Sequence, residues 1–374
     1  MEWISKYNSF NSDKGLTYYE NYKQIIRWLN HAPEFDRPLQ RVPLHAPVEV
    51  NLDPIAFCNL DCSYCIVQRY LKHHREELGM TELPIDYMIR LVDFLTNWQV
   101  RGLCISGGGE PTLHPDLPYL IDYASRRMKV SLVTNATSLP VEALKCRWVA
   151  MSVDAADAKT YKKIKGKDML DQVVSNMVNL VDQRKKGDAD LCFKFLLIPD
   201  NQYEIYDACR LAKSIGVQDF HLRPADLERS DLREFHQVKD DYLSVFDGAA
   251  IHEQFRKCHE LEDKNFHVYT VTHKFSPQFH VEHTFKRCLA TPLMLPILTD
   301  GNAYICPDKK MEKSHKLGSC YPDPEVICTW WGSDSHRDLI KSVNVSSCSK
   351  CTWCKYNEQI ENIILQDKMC LDFP

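Results

Sequence analysis

The feature that most restricts the fold of this chain is a regular alternation of strand-like and helix-like segments, which begins near residue 48. Short apolar runs typical of buried strands are separated by stretches long enough for a helix. Apolar residues recur at helical intervals after Pro84 and again after Pro115. This alternation predicts a parallel sheet with right-handed crossovers. The six predicted strands are residues 48–52, 102–106, 130–134, 148–153, 191–198 and 220–222.

Six strand-helix units predict an α/β fold, a partial (β/α)6 barrel of the TIM type whose functional side chains collect at the carboxyl ends of the strands. The length of 374 residues suggests further units beside the barrel. Residues 1–46 are predicted as an N-terminal extension, with a short helix near 18–30 and a linker punctuated by prolines. The other predicted units are the barrel (47–225), a helical and linker region (226–287) and a small cysteine-rich domain (288–374).

Composition and charge exclude several classes of protein. With 44% hydrophobic and 26% charged residues the chain is neither fibrous nor wholly disordered. A net charge of -5 gives no indication of a nucleic-acid partner. The longest apolar, uncharged stretch, residues 288–299, contains two prolines and is too short to span a membrane. Because the first residues lack the pattern of a secretion signal, we expect a cytoplasmic protein without a membrane partner.

Cysteine is unusually frequent, with 16 residues in the chain. Since disulfides are rare in a reducing cytoplasm, metal binding or burial has to explain them. Three follow the first predicted strand in the segment Cys58-Asn-Leu-Asp-Cys62-Ser-Tyr-Cys65. Three thiolates on one loop can hold three irons of a 4Fe-4S cluster and leave the fourth iron without a protein ligand. The alternative is a closed structural zinc site with His73 or His74 as the fourth ligand.

A glycine-rich motif, Ser106-Gly107-Gly108-Gly109-Glu110-Pro111, follows the second predicted strand. Glycines let a ligand approach the backbone closely, and a neighbouring carboxylate can accept hydrogen bonds from an ammonium group. A plain strand-to-helix turn would also explain the glycines. The motif comes one strand-helix unit after the cysteine loop, which favours a shared cofactor site.

Together the two motifs resemble those of the radical S-adenosylmethionine (SAM) superfamily over about residues 48–224. The resemblance implies that Cys58, Cys62 and Cys65 ligate a 4Fe-4S cluster beside bound SAM. It also implies reductive cleavage of SAM to methionine and a 5′-deoxyadenosyl radical, which takes a hydrogen atom from the substrate. A reductant such as flavodoxin or ferredoxin is then expected as a partner.

The resemblance further implies a set of SAM-binding residues. Lys165 stands where many relatives have an arginine, and a lysine lacks the planar fork of that side chain. The implied residues are Tyr64 near the adenine, Gly108, Gly109 and Glu110 at the methionyl amino group, Asn135 at the end of the third strand, Ser152 and Asp154 near the ribose, and Lys165 at the methionyl carboxylate.

The cysteine-rich tail resembles the SPASM and twitch extensions of radical SAM enzymes, which carry auxiliary 4Fe-4S clusters. The turn signal Asp300-Gly301-Asn302 predicts a hairpin that brings Cys288 and Cys306 together. We favour one auxiliary cluster over two, and a zinc knuckle is the other alternative. One cluster would use Cys288, Cys306 and two of Cys348, Cys351 and Cys354, whereas two clusters would place Cys348, Cys351, Cys354 and Cys370 at one site and Cys288, Cys306 and either Cys320 or Cys328 at the other.

The remaining cysteines before the tail lie in apolar segments and are predicted to belong to the core. They are Cys104, Cys146, Cys192, Cys209 and Cys258.

These patterns predict a radical SAM enzyme that removes hydrogen from a peptide or a small, sugar-like molecule, in an oxidation or a peptide maturation. The auxiliary cluster would accept or relay electrons. The competing hypothesis is a non-catalytic zinc protein or an iron-sulfur electron-transfer protein, which leaves the placement of the glycine motif unexplained. The sequence assigns no catalytic acid or base.

Overall fold

The structure is a computed structural model that describes most of the chain. It describes residues 18–29, 43–65, 67–68, 71, 76, 79–225, 246–270, 283–348, 351 and 353–365. Among the residues singled out above, His73, His74 and Cys370 lie outside these ranges.

Ten strands form one sheet in the described part of the chain. The strands are β1 (Glu49–Leu52), β2 (Gly102–Ile105), β3 (Lys129–Thr134), β4 (Trp148–Ser152), β5 (Asp190–Leu197), β6 (Asp219–Pro224), β7 (His267–Thr270), β8 (Met294–Ile297), β9 (Asn302–Tyr304) and β10 (Lys316–Ser319). Their order in the sheet is β10-β9-β8-β1-β2-β3-β4-β5-β6-β7. Pairing is parallel from β8 through β7 and antiparallel from β8 through β9 to β10.

Helices connect and cover the parallel strands. Each longer helix buries one apolar face, as Met88, Leu91 and Leu95 do in the helix after β1. No helix in the described ranges is long and apolar enough to cross a membrane. The helices are α1 (Tyr19–Leu29), α2 (Ile85–Asn97), α3 (Leu117–Ser125), α4 (Ala158–Lys165), α5 (Leu170–Gln183), α6 (Ile205–Ile215), α7 (Gly248–Glu260), α8 (Ile327–Trp330), α9 (Asp334–Ser342) and α10 (Cys354–Leu365).

The predicted α/β partial barrel is confirmed, since the six predicted strands are β1 to β6 with bounds shifted by at most two residues. The parallel sheet extends beyond these six strands. β7 adds to β6, pairing His221 with Tyr269, at a strand-like segment within a region that we expected to be helix and linker. Which segments join the sheet depends on pairing between distant parts of the chain, which a local pattern does not reveal.

The first strand of the cysteine-rich segment also joins the barrel sheet. β8 pairs in parallel with β1, so that Leu52 lies beside Ile297. All four residues of β8 are buried, as is typical of a strand in a parallel sheet that is covered on both faces. The predicted hairpin is present as β8 and β9, with Gly301 in the left-handed region at φ 71°. The segment after residue 287 is therefore continuous with the barrel.

Alternate residues of each strand face opposite sides of the sheet. On β5, Phe193 and Phe195 belong to the core shared with the surrounding helices. Lys194 lies between them and therefore faces the inner side of the curved sheet. The helix-facing side of the sheet is apolar, and the inner side carries polar residues.

The predicted N-terminal helix is confirmed as α1, but it packs partly on the carboxyl-terminal segment. Its Trp28 side chain is buried, and Nε1 donates a hydrogen bond of 2.9 Å to the carbonyl of Gly332. The same indole contacts His336 at a ring separation of 5.1 Å. Tyr22 contacts Tyr356 of α10. Helix α1 thus packs against the carboxyl-terminal segment that contains Gly332, His336 and Tyr356.

Replacing this indole tests that link. We expect Trp28→Ala to lower the free energy of unfolding by about 3–5 kcal/mol, because it leaves a cavity and an unpaired carbonyl. The measurement is the urea-unfolding midpoint of the anaerobic protein, followed by circular dichroism. Tyr19→Ala on the same helix is the control, since Tyr19 is 55% exposed and should change stability by less than about 0.5 kcal/mol. Equal midpoints for the two variants would contradict the packing described.

Candidate active site

The cysteine loop follows β1 and places its three thiols near one another. Burial raises the pKa of Cys58 to about 11, and the nearby Cys65 contributes in the same direction. Burial also raises the pKa of Cys62 to about 12, with further contributions from Cys65 and Cys58. The amide of Gln68 donates to the Cys65 sulfur at 3.2 Å. Metal binding at such thiols has to displace their protons.

The glycine motif lies directly beside the cysteine loop. The Gly109 amide donates to the carbonyl of Ile55 at 3.1 Å, and the Glu110 amide donates to the carbonyl of Phe57 at 2.8 Å. Only glycine fits at position 109, because a Cβ there would lie 2.3 Å from the Phe57 oxygen and 2.4 Å from the Ile55 oxygen. The two loops therefore extend the pairing of β1 with β2 beyond the strand ends.

Glu110 is buried and joins the glycine motif to the end of β3. One carboxylate oxygen accepts from the Thr134 hydroxyl at 2.6 Å, and the other accepts from the Asn135 amide at 2.6 Å. Burial raises the pKa of Glu110, and these hydrogen bonds oppose that rise. The Asn135 side chain in turn donates to Asn59 at 2.9 Å and to the Cys58 sulfur at 3.8 Å. The predicted contact of Glu110 with an amino group stays a prediction.

Lys165 is buried at the end of α4 with three acceptors around its ammonium group. They are the carboxylate of Asp154 at 2.5 Å, the hydroxyl of Tyr64 at 2.8 Å and the carbonyl of Ser152 at 2.9 Å. Burial opposes the charge most strongly of any single cause, but Asp154, Cys62 and Tyr161 together outweigh it and raise the pKa of Lys165. In this structure Lys165 is committed to Asp154, and its predicted contact with a methionyl carboxylate stays a prediction.

The same end of α4 supports the cysteine loop. The Asp61 amide donates to the Lys165 carbonyl at 3.0 Å, and the Ser63 amide donates to the Ile164 carbonyl at 2.8 Å. Gly166 takes a left-handed conformation at φ 76° and lies against Asp61. The implied ribose and adenine residues therefore form one connected network around the three thiols.

A second group of cysteines lines a cavity in the carboxyl-terminal segment. Burial raises the pKa of Cys288, and the neighbouring Cys306 and Cys348 add to the rise. Burial raises the pKa of Cys351 as well. The thiols stand around the cavity, and within the described residues no three His, Cys, Asp or Glu side chains are grouped as a site for one metal ion. The cysteines that line the cavity are Cys288, Cys306, Cys348 and Cys351.

Helix α10 holds this cavity in shape. Its buried Asn357 accepts hydrogen bonds from the amides of Leu289 and Ala290, at 2.6 and 2.7 Å, just after Cys288. The same side chain donates to the Cys351 sulfur at 3.5 Å. Asn357 could not be singled out from the sequence, because an asparagine within a helix is usually a surface residue.

The other cysteines are placed elsewhere. Cys320 is buried against the Tyr87 hydroxyl at 3.3 Å, Cys328 is exposed, and Cys354 begins α10; none of the three lines the cavity. The predicted core cysteines are buried apart from Cys104. Cys104 is only partly buried, because it lies on the inner side of β2 opposite Ser131 rather than among the helices.

Residues 52–218 match the Radical SAM superfamily. The chain contains a radical SAM domain. Enzymes of this superfamily use a 4Fe-4S cluster and SAM, and the matched residues contain both motifs of the site.

Relatives known from their sequences include two kinds of radical SAM protein. A probable GTP 3′,8-cyclase of Saccharolobus islandicus is 25% identical over 245 residues, which are 60% of this chain and 70% of the relative. The mycofactocin maturase MftC of Mycobacterium tuberculosis is 24% identical over 319 residues, which are 82% of this chain and 76% of the relative.

Solved structures share the fold. SuiB of Streptococcus suis bound to its precursor peptide SuiA superposes with a TM-score of 0.63 at 16% identity, covering 98% of this chain and 81% of SuiB. The enzyme anSMEcpe with bound AdoMet gives a TM-score of 0.57 at 14% identity, covering 83% of this chain and 88% of that one. The similarity to SuiB extends over the cysteine-rich segment as well as the barrel.

The inner side of this radical SAM barrel carries a row of polar residues on β4 to β7. Ser152 lies beside Lys194, Lys194 beside His221, and His221 beside Tyr269. Burial and the neighbouring Arg223 lower the pKa of Lys194 to about 7, although Asp154, Cys192 and Cys104 oppose the shift. The position of Lys194 in this row depends on the register of β5 against β4 and β6.

The close approach of Gly109 to the cysteine loop gives one prediction. We expect Gly109→Ala to lower the free energy of unfolding by about 1–3 kcal/mol, because the added methyl group meets backbone oxygen atoms. Hydrogen-deuterium exchange should become faster in peptides covering residues 53–65. Gly102→Ala on β2 is the control, since its Cβ would lie 3.9 Å from the nearest atom. Unchanged exchange in Gly109→Ala would contradict the loop contact.

Burial of Lys194 gives a prediction about pH. The folded pKa is about 7, whereas an unfolded lysine titrates at about 10.4. Between these values the unfolded chain holds a proton that the folded chain has released, so this group makes stability rise with pH. We expect wild type to gain stability relative to Lys194→Met between about pH 7 and 9.5, measured from urea midpoints. A difference between the two proteins that is independent of pH would contradict the assignment.

Proposed function

We propose that the chain is a radical SAM enzyme that removes a hydrogen atom from a peptide substrate and matures the peptide, with an oxidation as the expected outcome. The observation that carries the proposal is the position of three free thiols on one loop, hydrogen-bonded through its backbone to the glycine motif. A structural metal site would need the thiols. It would not need a glycine motif whose amides are hydrogen-bonded to the cysteine loop and whose backbone packs directly against it.

The residues of the first site fit a 4Fe-4S cluster. Cys65 is close enough to raise the pKa of both Cys58 and Cys62, and the described residues pair no disulfide between the three. We assign these three as cluster ligands. When bound and reduced, the cluster supplies the electron that cleaves SAM and so provides the 5′-deoxyadenosyl radical.

The chain's own residues shape the space around that cluster. We assign Gly108, Gly109 and Glu110 to the methionyl end of SAM, where Asn135 fixes the glycine motif against the cysteine loop. Tyr64, Ser152 and Asp154 form the adjoining wall, and the Asp154–Lys165 pair neutralises its charge. We assign this wall to the nucleoside. Buried, paired charges keep this wall fixed before the cofactor arrives.

The second cavity fits one auxiliary cluster. Four cysteines line it, which is the number of thiolates that a closed 4Fe-4S cluster takes. We propose Cys288, Cys306, Cys348 and Cys351 as its ligands, which selects Cys348 and Cys351 from the later trio. Such a cluster supplies a one-electron acceptor or relay, and flavodoxin or ferredoxin is the proposed reductant.

A peptide is favoured over a sugar-like molecule as the substrate. The structural match to SuiB bound to a precursor peptide covers 98% of this chain. The alignment with the maturase MftC spans 82% of this chain, whereas the one with the probable GTP 3′,8-cyclase spans 60%. The match to SuiB covers nearly the whole chain and therefore includes the cysteine-rich segment that the proposal needs.

Removing the three thiols tests the proposed function. Anaerobically reconstituted wild type, given dithionite and SAM, should form 5′-deoxyadenosine and bind about 8 irons per chain, at four per cubane. The triple variant with Cys58, Cys62 and Cys65 changed to alanine should form none and retain about 4 irons. The measurements are product analysis by liquid chromatography and iron determination.

Cys328→Ala is the matched control, because this thiol is exposed and lies outside both sites. It should keep the iron content and the 5′-deoxyadenosine formation of wild type. Cleavage of SAM by the triple variant would show that the chemistry lies elsewhere. Fully iron-loaded wild type that forms no 5′-deoxyadenosine would favour a non-catalytic electron-transfer protein.

A further inference from the structure

A buried ion pair connects the cysteine-rich segment to the end of β1. The Lys310 ammonium nitrogen lies 2.7 Å from a carboxylate oxygen of Asp53, and the two side chains are 11% and 2% exposed. Asp53 follows β1, and Lys310 follows the short 3-10 turn Pro307–Lys309 that begins next to Cys306. The pair thus connects Asp53, which is close to the first proposed cofactor site, with Lys310, which is close to the second.

The same oxygen of Asp53 also holds the glycine motif. It accepts a hydrogen bond of 2.9 Å from the amide of Gly108. On the other side of that peptide, the Gln68 side chain donates to the Gly108 carbonyl at 2.5 Å and to the Ala56 carbonyl at 2.9 Å. Both backbone polar groups of Gly108 are therefore fixed by side chains. Gln68 lies three residues after Cys65. The side chains that fix Gly108 therefore include one that is close to the cysteine loop.

Packing leaves little room for a side chain at Gly108. A Cβ there would lie 2.8 Å from the Val67 side chain and 2.9 Å from the Leu71 side chain. A shift of Gly108 away from Asp53 would break a buried hydrogen bond. The position of the motif thus depends on where the Asp53 carboxylate is held.

Lys310 is what holds that carboxylate. The other oxygen of Asp53 is buried and has no hydrogen-bond partner among the described residues. A buried carboxylate that loses its cation becomes strongly unfavourable and has to move or bind a proton. The backbone adds support, because the Asp53 amide donates to the Ile297 carbonyl at 2.9 Å and its carbonyl accepts from the Thr299 hydroxyl at 3.2 Å. All of these partners belong to the cysteine-rich segment.

We propose that Asp53 and Lys310 are a positioning pair, which sets the Gly108 peptide for SAM and makes SAM binding depend on the cysteine-rich segment. The inference rests on the proposed function. It differs from the ligand assignments, because neither side chain has to touch the cofactor. It also gives the segment after residue 287 a role in the first site that is independent of any electron transfer.

The test is the dissociation constant of SAM, measured by equilibrium dialysis of the reconstituted protein with radiolabelled SAM. We expect Lys310→Met to weaken SAM binding by about 10- to 100-fold, the usual effect of losing an outer partner of a ligand-binding group. Iron content should equal that of wild type. Hydrogen-deuterium exchange at residues 106–110 should become faster, a change that loss of a remote surface charge would not cause.

Two further variants separate positioning from general damage. Lys313→Met is the matched control, because Lys313 is an exposed lysine three residues further along, and it should bind SAM like wild type. The double variant Asp53→Asn with Lys310→Met leaves no uncompensated charge, so its affinity should fall between those of wild type and Lys310→Met. If Lys310→Met does not fold, the double variant decides: weakened SAM binding supports the pair, and wild-type affinity overturns it.

The outcomes distinguish failure of the positioning role from failure of the proposed function. Wild-type protein that binds and cleaves SAM, together with Lys310→Met that binds SAM equally well, overturns the positioning role alone. Wild-type protein that is fully loaded with iron but neither binds nor cleaves SAM overturns the proposed function, and the positioning role with it.

Discussion

The site depends on the two backbone hydrogen bonds that join the cysteine loop to the glycine motif. They run from Gly109 to Ile55 and from Glu110 to Phe57, and they continue the parallel pairing of β1 with β2 past the strand ends. Because the two loops are paired, the three thiols and the glycine backbone have one fixed relation to each other. Gly109 is required at this point, since a side chain would overlap both acceptor oxygens.

Three buried carboxylates stabilise the arrangement around this pairing, each at the end of a strand or just beyond it. Glu110 binds the end of β3, Asp154 binds Lys165 of α4, and Asp53 binds Lys310 of the cysteine-rich segment. Buried charges of this kind contribute little net stability, because desolvation offsets their attraction. Their role is to fix which elements meet at the site, which is what binding of a charged cofactor in a partial barrel requires.

The sequence predicted β1 to β6, α2, α3 and both cysteine groups, because long periodic segments and closely spaced thiols leave local signals. It did not predict that β7 and β8 extend the sheet, because their pairing with β6 and β1 joins segments that are far apart in the chain. Nor did it predict the partners of Lys165 or of Asp53. Those contacts join residues that are 11 and 257 positions apart, and they depend on strand register and loop packing, which composition and spacing do not encode.

Catalysis as proposed requires that Cys58, Cys62 and Cys65 leave one iron of the cluster free to bind SAM. Electron-nuclear double resonance on the reduced protein, with SAM carrying 15N in its amino group, tests it directly. We expect a 15N hyperfine coupling to the cluster that disappears when unlabelled SAM replaces the labelled cofactor. A fully loaded, reduced cluster that shows no such coupling at saturating SAM would contradict it.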